Sequence, residues 1–171
     1  MRKQSGFSII ELLVVVAIIL IIAAIAIPNL MRARMAANDS SAAESVRNIN
    51  TGEIAYRTSY PGIGFPVALA ALGGALPCAP SAVTGCLIDD SLATAIPGSP
   101  GKSGYFFNAT GSASAASLIN DQFYATGTPM NAQSGTRAYC SVEDTVLRLQ
   151  PAGTITAVPS YNACQTLNAM K

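Results

Sequence analysis

One stretch constrains this chain more than anything else in its 171 residues. From Phe7 to Ile27 only Ser8 and Glu11 are not hydrophobic. The mean hydropathy of the whole chain is +0.39, a total of about +67. That segment alone supplies about +66 of it on the same scale. The remaining residues average near zero, as in an ordinary soluble domain. As a helix the segment would be roughly 31 Å long at ~1.5 Å per residue, matching a hydrocarbon core of ~30 Å. Arg2 and Lys3 precede it, which predicts a cytoplasmic N-terminus with the rest of the chain outside.

Two fates compete for such a segment. A secretory signal peptide would use Arg2 and Lys3 as its basic region and Ala24-Ile25-Ala26 as the cleavage site. The apolar run exceeds the usual ~7–15 residues, however, and Pro28 lies two residues past that cut. A Glu inside the run is also unusual. The sequence therefore favours a retained transmembrane helix.

The front of the segment is more specific still. Met1-Arg-Lys-Gln-Ser-Gly6 is followed by Phe7-Ser-Ile-Ile-Glu11, and Pro28 ends the apolar run. This pattern resembles the class III signal of type IV prepilins: a short basic leader, a Gly, a Phe, and a Glu at the fifth mature position. The resemblance is strong over Gly6–Arg34 and fades after that. It implies that a prepilin peptidase cuts after Gly6 and methylates the new N-terminus of Phe7. It also implies assembly of identical copies into a helical filament by an inner-membrane pilus machinery. The fold implied is α+β, a long N-terminal helix packed on a small antiparallel meander. Four regions follow: leader 1–6, membrane and assembly helix 7–28, amphipathic continuation 29–60, and extracytoplasmic domain 61–171.

Glu11 carries its own argument. A carboxylate near the bilayer centre costs on the order of 2.5–3.5 kcal/mol, so intramembrane acids are functional candidates. The plain alternative is that Glu11 lies only about 6 Å inside the segment and reaches the interface. Under the resemblance, its partner is the α-ammonium of Phe7 in a neighbouring copy, created by cleavage. Such a pair would compensate two charges and fix register.

From Asn29 to about Tyr60 the helix should continue. Met35, Ala42, Val46, Ile49 and Tyr56 recur on one helical face. Arg32, Arg34, Asp39, Glu44 and Arg47 lie off that stripe and are expected to be solvated or to touch other copies. Pro28 should loosen the helix locally, Gly52 should weaken it, and Pro61-Gly62 should end it. Residues 61–101 are dominated by turn chemistry, with short helical pieces expected at Val67–Leu72 and Asp89–Ala95, where an Asp could cap the second. Strands are expected at Gly104–Asn108, Gln122–Thr126, Arg137–Val142, Thr145–Gln150 and Thr154–Val158. Glu143-Asp144 reads as a tight turn. The meander should bury Val46, Ile49 and Tyr56 against Tyr105–Phe107, Phe123 and Tyr139.

The four cysteines, Cys78, Cys86, Cys140 and Cys164, have no C-x-x-C spacing, and the chain contains no His. Zinc and haem are therefore poor readings, and outside the cytoplasm disulfides are the default. Three pairings are possible, and order along the chain favours Cys78 with Cys86 and Cys140 with Cys164. The second would staple the C-terminal tail to a strand, similar to the disulfide-bounded loop of many pilins. Asp89-Asp90 and Glu143-Asp144 could bind Ca²⁺, but a helix cap and a hairpin turn explain them more simply. The Asp-Pro-Trp-Gly-type calcium motif of the major type II secretion pseudopilin is absent. Asn38-Asp-Ser40 and Asn108-Ala-Thr110 fit the glycosylation sequon.

No metal, cofactor or catalytic site is expected. The missing His removes the commonest general base, and no nucleophile elbow, phosphate loop or carboxylate pair is present. A net charge of +1 gives no footprint for nucleic acid. The function expected from the resemblance is a structural subunit of a type IV pilus. The alternatives are a minor pilin, a type II secretion pseudopilin, or a membrane-tethered or secreted binding domain that never polymerises.

Overall fold

The computed structural model describes residues 6–170, so Arg2 and Lys3 of the expected leader lie outside the described residues. Two compact units divide between Arg34 and Met35. The first is the front of helix α1 (Ile9–Ser59), which runs through Pro28 without interruption. Pro28 has no N–H to offer the carbonyl of Ala24, so the helix lacks one rung there.

In the second unit the remainder of α1 lies on an antiparallel five-stranded sheet. The strands are β1 (Tyr105–Ser112), β2 (Gln122–Pro129), β3 (Tyr139–Val142), β4 (Arg148–Leu149) and β5 (Asn168–Ala169), in that spatial order. Every neighbouring pair is antiparallel. A 3₁₀ turn at Leu69–Leu72 and short helices α2 (Asp90–Ala93) and α3 (Tyr161–Gln165) complete the fold. Asp89 caps α2, its carboxylate accepting from Leu92 N at 3.1 Å, as the position of an Asp before an apolar turn predicts.

The expected stripe on α1 forms the core. Ala42, Val46, Ile49 and Tyr56 are buried, Met35 is half-buried, and Tyr105, Phe107, Phe123 and Tyr139 meet them from the sheet. β1 alternates cleanly: Tyr105, Phe107 and Ala109 face inward while Asn108 and Thr110 are exposed, the period-2 pattern of a sheet with one covered face. Gly52 lies where the chain passes close to α1. A Cβ there would stand 3.0 Å from Ile88 Cγ2 and 3.5 Å from Leu72 Cδ1.

Three expectations fail. Thr154–Val158 is not a strand. Thr154 O accepts from Ala138 N, but Thr156 and Ala157 are exposed while Val158 is buried, and the segment lies between Pro151 and Pro159, which have no N–H for a ladder. The fifth strand is instead Asn168–Ala169, paired with β4. The run Thr145–Gln150 contributes only Arg148–Leu149 to the sheet, because Thr145 adopts φ +58° to close the Glu143-Asp144 turn, its N–H bonding Val142 O at 2.8 Å. Asp39, finally, is not a solvated charge. Its Oδ1 accepts from Tyr105 Oη at 2.5 Å and from Thr136 N at 2.9 Å, tying α1 to the sheet.

The cysteines pair as Cys78–Cys86 and Cys140–Cys164, each with a Cα–Cα distance of 6.0 Å. The second bridge draws α3 onto the outer face of β3. A small second core results, in which Cys140, Val142, Val158 and Cys164 pack with Tyr124, Tyr161 and Leu167. β3 is consequently buried on both faces.

Candidate assembly site

The site residues sit at the start of α1. Gly6 and Phe7 precede the helix, and Ser8 is its N-cap. Ser8 Oγ accepts from Ile10 N at 3.3 Å, and Leu12 N closes the first turn onto Ser8 O at 3.2 Å. Glu11 reaches back: its Oε2 accepts from Ser8 N at 3.0 Å. Ser8-Ile9-Ile10-Glu11 is therefore a form of capping box, in which cap and third residue satisfy otherwise orphaned N–H groups. The S-x-x-E spacing before an apolar run was the available signal, and attention to the charge of Glu11 alone misses it. A carboxylate in the first turn is also favoured by the helix dipole.

The cap consumes one carboxylate oxygen. Oε1 of Glu11 makes no hydrogen bond among the described residues. A Cβ on Gly6 would meet nothing within 4 Å, and Gly6 and Phe7 are both exposed.

Behind the cap, every side chain from Phe7 to Ile27 is exposed except the half-buried Ala23. Phe7 is 78% exposed and Ile9 82%. Among the described residues α1 is the one helix long and apolar enough to cross a membrane. An unbroken apolar surface of this size needs cover, from lipid or from protein. The structure thus brings Phe7, Ser8 and Glu11 together at one helix end and places Pro28 on the same helix. The cysteines belong to the other unit and hold its loops.

Of the other acidic candidates, Asp89, Glu143 and Asp144 already have partners. Asp89 takes Lys102 Nζ at 3.0 Å as well as the α2 cap, and Asp144 pairs with Arg148, Nη1 to Oδ1 at 3.0 Å. The Arg148 guanidinium holds the Asp144 carboxyl below its ordinary range. Among the described residues no cluster of three or more His, Cys, Asp or Glu side chains could hold a metal.

Comparison with known proteins fits this geometry. Residues 1–27 match the family described as the prokaryotic N-terminal methylation motif. The segment that carries Gly6, Phe7, Glu11 and the exposed apolar helix is thus of the prepilin type. Over 40 residues the chain is 60% identical to the type IV wide pilus major component PilA4 of Thermus thermophilus. That stretch is 23% of this chain and 30% of the relative, so the chain spans about a third of the curated protein it matches. No solved structure matches. The resemblance to type IV pilins is borne out by these two matches, together with a long apolar helix and a small antiparallel sheet.

Proposed function

We propose that the chain is a structural subunit of a type IV pilus. It is made as an inner-membrane precursor, cut after Gly6 by a prepilin peptidase, methylated at Phe7, and polymerised through its N-terminal helix. The observation that carries this reading is the methylation motif on a capped helix whose apolar side chains are exposed among the described residues. Before assembly, lipid covers that surface. Afterwards, the same helices of neighbouring copies do.

Cleavage is what makes the exchange selective. Hydrolysis of the Gly6–Phe7 peptide bond releases the leader, ending in the Gly6 carboxylate, with its two side-chain cations and frees the α-ammonium of Phe7, to which a separate step then transfers a methyl group from a methyl donor. In the monomer Glu11 Oε2 is held by its own chain at Ser8 N, while Oε1 is free to accept the ammonium of an incoming copy. Pairing the two charges removes the cost of placing either in an apolar filament core. An uncut precursor carries no ammonium at that position and makes no such pair. The leader 1–6, helix 7–28, continuation 29–60 and domain 61–171 then have separate roles: processing, assembly, domain attachment and surface. The mechanism is assembly, with no catalytic turnover.

The test is mass spectrometry of the mature N-terminus together with electron microscopy of sheared cell-surface material. Methylated Phe7 and abundant filaments of this subunit support a pilus subunit. Methylated Phe7 in short or trace assemblies means a minor pilin or a type II secretion pseudopilin. A mature start at Ile27, or an intact Met1, refutes the reading and leaves a secreted or tethered binding domain.

A further inference from the structure

The least expected group in the second unit is Glu53. It lies on the buried face of α1 between Ile49 and Tyr56, and its exposure is 0%. Neither carboxyl oxygen has a hydrogen-bond partner, and one turn earlier the Oδ1 of Asn50 is also buried and unpartnered. Asn50 is fixed by its other end: Nδ2 donates to Ser141 Oγ at 2.9 Å and to Thr145 O at 3.3 Å. Its amide oxygen is thereby left on the opposite side, needing a donor. Residues three apart on a helix are neighbours, so two acceptor groups stand side by side in the core with no donor between them.

A carboxylate buried without a partner is among the most costly groups a fold can hold, whereas a protonated carboxyl is a donor. We propose that Glu53 is carried as the neutral acid in the folded domain. Its proton is donated to Asn50 Oδ1, so that one proton satisfies both residues and latches α1 onto the β3–β4 turn through Ser141 and Thr145.

Among the described residues no charged group pairs with Glu53. On α1, Arg47 turns to Glu44 at 3.4 Å, and the Arg57 guanidinium sits over the Phe65 ring at 5.1 Å. In the β3–β4 turn, Asp144 is held by Arg148 and Glu143 accepts from Tyr161 Oη. From β1 and β3 the titratable groups entering the core are Tyr105 and Tyr139. The Tyr105 hydroxyl is bonded to Asp39, and the Tyr139 phenol is raised by burial and then by the charge of Asp39. The Leu69–Leu72 turn, α2 and β2 contribute Leu69, Leu72, Leu92, Phe123 and Ala125. Beside Glu53 stands Tyr56, whose phenol is raised by burial first and by Tyr60 and Glu53 after it.

The consequence is a proton requirement. Burial pushes the Glu53 carboxyl from 4.5 up to about 8, within the range known for buried Glu. The latch is complete below the unfolded value of 4.5. Between there and about 8 the folded state holds one proton more than the unfolded chain. The unfolding constant therefore rises about tenfold per pH unit through that window and levels off above it.

The test is equilibrium unfolding of the full-length protein in detergent micelles, disulfides intact, from pH 5 to pH 8. The unfolding constant of the natural chain relative to Glu53→Gln should climb about four-hundredfold across that range, since the carboxamide donates to Asn50 without titrating. Glu53→Met, with no donor, should be equally insensitive to pH but less stable than Glu53→Gln. Parallel pH profiles for the natural chain and Glu53→Gln overturn the proposal, and equal stability of the Gln and Met variants overturns the bond to Asn50. Should Glu53→Gln fail to fold, ¹³C resonances of the four Glu carboxyls in the natural chain decide. One must titrate near pH 8, and all four titrating below pH 6 overturns the proposal.

Discussion

Asp39 and Tyr105 join the helix to the sheet through a hydrogen bond of 2.5 Å between Oδ1 and Oη. They are 66 residues apart, on the middle of α1 and the first residue of β1. The same carboxylate also takes both donors of Thr136, so a single acid gathers three segments. Burial first, and then the bond to Asp39, push the Tyr105 phenol far above its ordinary range, which keeps it a donor at any ordinary pH. The closeness of this junction is why residue 135 is Gly: a Cβ there would stand 2.2 Å from Tyr105 Oη and 2.6 Å from Asp39 Oδ1.

Tyr105→Phe should therefore destabilise the domain by about 1.5–3 kcal/mol, the range for hydrogen bonds to charged groups. Asp39→Ala should cost more, because it also leaves both donors of Thr136 without their acceptor, although the Tyr105 hydroxyl keeps Arg137 O at 3.0 Å. Denaturant titration checks both, and the double variant should be no worse than Asp39→Ala alone, since the two share one interaction. Additive losses would mean that the residues act separately.

How far such contacts are legible in the sequence depends on their range. The buried stripe Ala42, Val46, Ile49 and Tyr56 follows from helical period, and the α2 cap at Asp89 from local chemistry. Asp39 and Glu53 stand at helical spacing from that stripe, but their charge reads as solvent-facing; Asp39 is held inward by Tyr105 and Thr136, Asn50 by Ser141, and Glu53 is buried with neither carboxyl oxygen partnered. The missed fifth strand has the same cause. Asn168–Ala169 has no strand signature of its own and is held by the Cys140–Cys164 bridge, whereas Thr154–Val158 reads as a strand but bonds its neighbour Ala138 only through Thr154 O. At the assembly site the opposite holds. The Ser8–Glu11 cap is written in four contiguous residues, and the matched motif over residues 1–27 is equally local.

The cap and the charge of Glu11 can be separated. Ser8→Ala removes the cap's side-chain acceptor at a cost of about 0.5–2 kcal/mol to the helix end, but leaves Glu11 able to pair. It should be cleaved and assembled nearly as the natural chain. Glu11→Ala should still insert and lose its leader, yet yield few filaments. Quantifying mature subunit in membranes against sheared filaments reads both. Normal filament amounts from Glu11→Ala would show that the carboxylate serves only as a cap.

The Cys140–Cys164 bridge closes a loop of 24 residues, and removing it should cost about 2–4 kcal/mol. The effect should be local first. α3 and β5 lie beyond the point where the chain leaves the sheet, and the second core of Val142, Val158 and Leu167 is small. In the double Ser variant, hydrogen exchange should accelerate in residues 160–170 well before it does in β1 and β2.

Gly64 provides a test of backbone geometry alone. It adopts φ +87°, and a Cβ there would stand 2.1 Å from Asn120 O, because residue 64 forms a parallel bridge with Asn120 just after α1 ends. Phe65 N donates to the same carbonyl at 2.8 Å, and Asn120 Nδ2 returns a bond to Phe65 O at 2.8 Å. Gly64→Ala must distort a segment held at both ends. Left-handed backbone strain accounts for about 1–2 kcal/mol, and displacing Asn120 adds the loss of one or two hydrogen bonds at about 1 kcal/mol each. A drop of about 2–4 kcal/mol in unfolding free energy is expected, with processing after Gly6 unchanged because the leader lies in the other unit. A neutral Gly64→Ala would show that the Ile63–Phe65 turn adapts freely and does not fix the end of α1.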